Sequence, residues 1–411
     1  MPAPMANVLL TRFSQLPAAQ PLLARLGEAE GVYLIGGAVR DLLLERQPLD
    51  LDLVVDGDLE SVAALLGTPD KVHDRFETRT ISLGGFTYDL ARSRRETYAH
   101  PGALPTVQPA GIEEDLGRRD FTVNALALGL AGSSRGRLLE APHGLDDLAA
   151  RRLRVLHDAS FLDDPTRLLR LARYAGRLGF AIEPYTAARA EVAAASGALG
   201  TVSGPRVGAE LRLLAEQGDP LPGFRTLHEV GIDEAIETAF GIPDERMDLA
   251  VRARALLPGD GEAPDLVLAV ASLGVKGQRL SSMLDRLAFP AARRDRIVAA
   301  AHGTPGLLVR LRSASRPSEI AAAVASAPPE AVAIAGAMGA EPPARRWLEE
   351  LRHIRLEIDG NDLLAAGLVP GPAVGAGLAA ACAAKLDGRA DGREAELAAA
   401  LEGAGGPGRR G

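Results

Sequence analysis

From Gly31 to Leu130, short apolar runs alternate with glycine-rich turns. GVYLIGG predicts a strand running into a tight turn, and AVRDLLLE the helix that follows. LDLDLVVDGD, with alternating acidic and apolar positions, predicts a second strand. ETRTISLGG and FTYDLARS flank Gly84-Gly85 and read as a hairpin, after which RRDFTVNALALGL restores helical spacing. These elements make an α/β (α+β) unit with a small mixed sheet. From about Ala149 onward strand signals nearly vanish. TRLLRLARYAGRLGF, ARAEVAAAS, RVGAELRLLAEQ, DLVLAVASLG and AVGAGLAAACAAKL are helical by period. Breaks fall near Gly218–Gly223, near Pro258–Pro264, at Pro328-Pro329 and at Pro342-Pro343, so a mixed N-terminal domain precedes two or three helical modules. No fixed-period repeat is visible, and GAGGPGRRG at the end reads as a frayed tail.

Composition narrows the picture. A chain of 411 residues suits two to four domains at roughly 150 residues each. Its 47% hydrophobic and 24% charged content excludes wholesale disorder. With aromatics at only 4%, helices packed by small side chains are favoured over a β-sandwich. No apolar run reaches the ~18 residues of a membrane span. The start, MPAPMANVLLTRFSQLP, lacks a basic flank leading into a long apolar core, so export is not expected and the cytoplasm is. The single cysteine, Cys382, excludes an internal disulfide framework and a thiolate metal cluster. A formal charge of -8 argues against a nucleic-acid partner only in bulk, because binding depends on where the cations sit. Lysine occurs only at Lys71, Lys276 and Lys385, so 43 of the 46 basic residues are arginine, the planar fork suited to phosphates and base edges.

The richest segment chemically is GGAVRDLLLERQPLDLDLVVDGD. On a strand, Asp50 and Asp52 project to one side while Leu51 and Leu53 pack behind. Two carboxylates so placed repel unless a cation lies between them, and an oxygen-lined, partly hydrated site suits Mg²⁺ recruited with substrate phosphates. Gly36-Gly37, at a strand-to-helix turn, permits close backbone approach where N–H groups favour an anion. Arg40 lies one turn into that helix and can point at the same anion. Asp89, in FTYDLARS, is on a strand that can lie beside the pair, and a third carboxylate completes a site for phosphoryl or nucleotidyl transfer. Alone, an Asp-x-Asp pair is an exposed strand face and a Gly-Gly merely a turn. Their combination with Arg40 and Asp89 favours the chemical reading.

This stretch resembles the head domain of the class II tRNA nucleotidyltransferase and bacterial poly(A) polymerase family, within the polymerase-β-like nucleotidyltransferase superfamily. Further matches follow in order. EEDLGRRDFTVNALAL (Glu113 to Leu128) is similar to the family's RRDFT-x-NA signature. DDPTRLLRLARYAGRLGF (Asp163 to Phe180) is similar to its nucleotide-selecting ED-x-x-R motif. VSGPRVGAEL (Val202 to Leu211) resembles a helix-start motif with arginine and glutamate four apart, and IDGNDLLAAGLVPGPAVGAGL the C-terminal region. The resemblance implies a catalytic head over 1–150 and a helical neck for nucleotide selection and RNA binding over 151–220. A helical body over 221–340 and a tRNA-binding tail over 341–411 follow.

By the same resemblance, Asp50 and Asp52 hold Mg²⁺ with Asp89 as third carboxylate. Gly36, Gly37 and Arg40 meet the triphosphate, and Arg119 contacts a phosphate. Asp120 and Asn124 orient the ribose. Asp164 and Arg167 read the base edge, the carboxylate accepting from an exocyclic amine that cytosine and adenine have and uracil lacks. Arg170 and Arg173 contact nucleotide or phosphates. A helix N-terminal cap is the plain alternative for Asp164, with Pro165 in the first turn. The implied activity is untemplated addition of CCA, or part of it, to the tRNA 3′ end from CTP and ATP, with the acceptor–TΨC arm gripped by the helical modules. A poly(A) polymerase shares the motifs, and a non-catalytic RNA-binding protein is the remote alternative.

Some features depart from the pattern. Where the family carries D-P-x-G-G, this chain reads EAPHG, with Glu140 for the acid and His143 for the first glycine, a residue less free to adopt positive φ. The dyads His73-Asp74 and His157-Asp158 hint at a metal-dependent phosphohydrolase but lack the spacing for one. Ser93–Ile112, rich in Pro and Gly, reads as a loop in the place where the family switches from CTP to ATP, which argues against a CC-only enzyme. Arg345, Arg346, Arg352 and Arg355 either line an RNA-facing side or form a solvated helix face.

Overall fold

A computed structural model describes residues 3–74 and 77–405, so the last residues of the tail segment lie outside the described part. The chain forms two compact units. The first comprises Met1–Leu214 with Glu229–Ile236, and the second Ala215–His228 with Glu237–Gly411.

In the first unit α1 (Ala3–Ser14) and α2 (Ala19–Leu26) precede β1 (Val32–Ile35), whose four residues are all buried. Gly36, at φ +65°, makes the sharp turn into α3 (Gly37–Leu43). There follow β2 (Asp52–Val55), α4 (Leu59–Leu66), β3 (Lys71–His73), β4 (Thr78–Leu83) and β5 (Phe86–Arg92). The side chain of Asp58 starts α4 by accepting from the N–H groups of Glu60 and Ser61. Gly84 and Gly85, both at positive φ, close the β4–β5 hairpin as its pattern predicts. Next come β6 (Arg94–Thr97), β7 (Thr106–Pro109), α5 (Ile112–Gly117), β8 (Leu126–Gly129), β9 (Leu138–Glu140) and α6 (Gly144–Ala149).

The sheet has seven strands in the order β3-β4-β5-β2-β1-β8-β9. Only β2 and β5 pair in parallel; the other neighbours are antiparallel. Tyr33, Ile35, Val54, Ile112, Leu116 and Ala127 form part of a core against one face. Beyond α6 the unit continues with β10 (Arg152–Leu153), α7 (Ser160–Asp163), α8 (Thr166–Leu178), β11 (Ala181–Ile182), α9 (Pro184–Ala195) and α10 (Gly204–Ala215). The two-residue strands β10 and β11 pair in parallel.

Three local expectations need correction. The segment RRDFTVNALALGL is not one helix: a 3₁₀ turn at Thr122–Asn124 leads into β8. Every residue of β8 is buried, and a continuous apolar run in a central strand cannot be told from a buried helix by periodicity. Asp50 precedes β2 rather than standing on it. The stretch Ser93–Ile112 is not a plain loop, because β6 and β7 pair from Arg94↔Pro109 to Thr97↔Thr106 as a separate antiparallel ribbon.

The second unit is helical. It carries α11 (Leu221–Glu229), while the short α12 (Ile232–Ile236) returns to the first unit. Then follow α13 (Asp244–Leu256), α14 (Ala263–Ala271), α15 (Gln278–Arg286), α16 (Ala291–Ser313), α17 (Pro317–Val324), α18 (Pro329–Ala335) and α19 (Glu341–Glu349). Buried Asp265 on α14 is neutralised by Arg293 and Arg296 of α16. The last helices, α20 (Gly360–Ala365), α21 (Pro372–Leu386) and α22 (Arg393–Gly403), close over Ile358, Leu363, Ala381 and Ala400. Among the described residues no single helix is long and apolar enough to cross a membrane.

Candidate active site

Sheet register builds the acidic end of the site. Parallel pairing sets Asp52, the first residue of β2, beside Asp89 of β5. Both residues are exposed, as is Asp50. The Asp89 carboxylate accepts from the Thr80 hydroxyl at 2.6 Å. The Asp52 carboxyl is pushed above its usual range, first because crowding by protein disfavours its charge. Arg119 opposes this, and the like charges of Asp89 and Asp50 add to it. Among the described residues no three side chains of metal-ligating type converge tightly enough to hold an ion by themselves. Two or three mutually repelling carboxylates nonetheless suit a hard divalent cation that completes its shell with water and phosphate oxygens.

The glycine turn adjoins this acidic end. A Cβ on Gly36 would come within 3.4 Å of an Arg119 guanidinium nitrogen. Arg119 is anchored at 2.7 Å on Asp115, while its buried Nε has no hydrogen-bond partner. Arg40 is already engaged by protein partners. It is 1% exposed, donating from Nε to Asp41 at 2.9 Å and from a terminal nitrogen to Asn124 Oδ1 at 2.5 Å. Arg40 thus braces Asn124 and Asp41 while its guanidinium lies against the Gly37 turn, 3.4 Å from where a Cβ would stand, on the border of the acidic cleft.

A cavity of about 460 Å³ lies alongside, lined by Glu96, Tyr98, Arg119, Asp120, Asp164, Arg167, Arg170, Arg206 and Glu210. Asp120 accepts from Arg170 at 2.9 and 2.6 Å and from Asn124 at 3.1 Å. Burial by itself would raise its carboxyl, but Arg170, Asn124 and Arg167 override that and hold it at about 2. Asp120 and Asn124 are therefore buried and mutually bonded. Arg167 donates to the Ser160 hydroxyl at 2.7 Å and the Arg118 carbonyl at 2.6 Å. Arg173 lies over the Tyr174 ring at 4.8 Å and donates to Glu210 at 3.0 Å. Asp164 accepts from the Thr166 N–H and hydroxyl and from Arg206, all on Oδ1.

Some residues of this constellation were given no role from the sequence. Glu210 receives both Arg170 and Arg173, and Arg206 pairs with Asp164 at 2.9 Å. The arginine–glutamate spacing of four in RVGAE was the signal for both. Tyr174, with Arg40, Arg170 and Arg173 within 5.6 Å of its ring, follows Arg170 by one helical turn. Glu96, which takes Arg94, Arg118 and Tyr98, was hidden in the Pro/Gly-rich stretch. His143 occupies the left-handed region at φ +70°, where the family pattern has glycine, and Glu140 accepts from the Leu145 N–H at 2.7 Å.

Comparison with known proteins converges on one family. The family profile described as the poly A polymerase head domain matches residues 32–154. The chain is 35% identical over 371 residues to a CC-adding tRNA nucleotidyltransferase of Deinococcus radiodurans, covering 87% of this chain and 85% of that one. It is 40% identical over 227 residues to an A-adding tRNA nucleotidyltransferase of Halalkalibacterium halodurans, which is 52% of this chain and 53% of the relative. The match thus spans about half the length of the A-adding relative. Among solved structures, a Thermotoga maritima CCA-adding enzyme complexed with tRNA superposes with a TM-score of 0.79 at 27% identity, over 97% of this chain and 98% of that one.

Proposed function

The chain belongs to the tRNA nucleotidyltransferase family, and on that premise we propose that it adds CCA, or part of it, to the tRNA 3′ end from CTP and ATP without a nucleic-acid template. The observation that carries this reading is the position of Arg119. It lines the 460 Å³ cavity, lies beside the Gly36 turn, and is felt electrostatically by Asp52. A nucleotide with its base against Asp164 and Arg167 has its phosphates led by Arg119 toward the carboxylates.

In this reading the tRNA 3′-oxygen forms a bond to the α-phosphorus, and the bond to the bridging oxygen breaks as pyrophosphate leaves. A divalent cation, which we assign as Mg²⁺, would supply Lewis-acid stabilisation of the hydroxyl and phosphate oxygens. Asp50 and Asp52 are the residues to hold it, with Asp89 as the third carboxylate. Asp120 and Asn124 fix the floor beneath the ribose through Arg170 and Arg40. Asp164 and Arg167 select the base. The acceptor–TΨC arm is recognised by shape and phosphates, as duplex RNA generally is. We place the activity in the cytoplasm.

The deciding experiment offers the purified protein tRNAs ending at the discriminator base, in C and in CC, each with CTP or ATP and Mg²⁺. Growth of any of these ends supports the proposal, and the pattern tells CCA, CC and A addition apart. ATP tails on any RNA 3′ end would favour a poly(A) polymerase. No lengthening of any tRNA would leave a non-catalytic RNA-binding protein.

A further inference from the structure

A second, smaller cavity of about 200 Å³ borders the carboxylates, with Gly37, Asp50, Asp52, Arg173, Tyr174 and Arg177 among its lining. Of the arginines there, Arg40 is committed to Asp41 and Asn124, and Arg173 to Glu210. Arg177 differs. Its side chain is 31% exposed, and its ion pair with Asp41, at 3.6 Å, is longer than a hydrogen bond. Asp41 is already shared with Arg40, at 2.8 Å. The Arg177 guanidinium is therefore the least committed cation in a cavity that otherwise presents the metal-type carboxylates and the glycine turn.

Its position along α8 gives it a role. Arg167 and Arg170 line the larger cavity, Arg173 and Arg177 the smaller. Ten residue-to-residue steps of helix, from Arg167 to Arg177, rise roughly 15 Å, comparable to the reach of an extended nucleoside triphosphate from base edge to terminal phosphate. We propose that Arg177 binds the terminal phosphate of the incoming nucleoside triphosphate and then the distal phosphate of the departing pyrophosphate. This rests on the nucleotidyl-transfer reading above and assigns a residue to its leaving-group end. As the 3′-oxygen joins the α-phosphorus, the α–β bridging bond breaks, its electron pair stays on pyrophosphate and the hydroxyl proton goes to water. The negative charge gained by the leaving group then faces a planar fork able to pair two oxygens at once.

The test compares wild type, Arg177→Ala and Arg177→Lys as full chains, measuring binding of CTP and CDP and inhibition by inorganic pyrophosphate. Loss of a charge-assisted phosphate contact predicts CTP binding weaker by about tenfold or more, with CDP nearly unchanged. The inhibition constant for pyrophosphate rises in parallel, Arg177→Lys falls between, and discrimination of CTP from UTP is retained. A loss equal for CTP and CDP would show that Arg177 merely supports the fold, and no loss at all would show that it touches no phosphate; either overturns the assignment. Wild-type protein that binds CTP yet extends no tRNA would sink the proposed function instead, with the CTP–CDP comparison still readable.

Discussion

The hydrogen bonds that Asp164 accepts from Thr166 and Arg206 all fall on Oδ1. Cap and base reader are therefore compatible, because Oδ2 remains to accept an exocyclic amine. On the proposed reading Asp164→Ala removes both functions, so UTP and GTP are expected to be admitted alongside CTP or ATP, and the start of α8 loses about 1 kcal/mol of capping. Unchanged nucleotide selectivity with lowered thermal stability would leave only the cap. Asp52→Asn is expected to behave differently. The amide keeps the side-chain shape but removes the charge proposed to hold the metal beside Asp89, so incorporation of both nucleotides falls by at least about a hundredfold while tRNA binding in a filter assay holds. Retained turnover would contradict the metal assignment. At this scale the sequence exposes which residue types cluster but not which are buried. Arg40 illustrates the gap, because its partner Asn124 lies 84 positions away and nothing local signals that the two meet.

At the level of elements, the legible parts are those with a local cause. Gly36 and the Gly84-Gly85 pair adopt positive φ and turn the chain where the pattern places them, and β1, α3 and the β4–β5 hairpin follow from alternation between those turns. The ribbon β6–β7 was illegible because its strands are exposed or half-buried, so no hydrophobic alternation marks them. It has consequences for the site. Glu96 on its first strand and Tyr98 just after that strand form part of the large cavity's wall, and the Gly102 N–H at its tip donates to the Leu162 carbonyl at 3.0 Å. A Cβ at Gly102 would collide with Thr201, so the tip fits closely. Trimming residues 99–105 frees that wall, and the larger purine depends on it more than the pyrimidine does. Addition of A to tRNA ending in CC is expected to fall more than addition of C in parallel primer-extension assays. Equal loss would make the ribbon a structural strut alone.

For the molecule as a whole, a formal charge of -8 has to be reconciled with the polyanionic partner proposed above. Local geometry, rather than net charge, decides which arginines are available. On α19, Arg345 is bracketed at 2.9 Å by Glu341 and by Glu349, and Arg346 lies 3.8 Å from Glu350. Counting Glu350 just past its end, three carboxylates outnumber two guanidinium groups along that helix, so a phosphate approaching it meets net repulsion. Arg352 pairs with Asp260, whereas exposed Arg355 donates to the Arg352 and Ile354 carbonyls, partners that leave its charge uncancelled. A phosphate contact releases counterions, steepening the fall of log affinity against log salt by roughly 0.7–0.9 per phosphate. Arg355→Ala is therefore expected to flatten that slope for tRNA by about this amount, while Arg345→Ala leaves it unchanged. Binding titrations between 50 and 200 mM salt, the range over which the effect is large, measure both. Equal flattening by the two variants would return the whole α19 face to the RNA and show that its ion pairs open on contact.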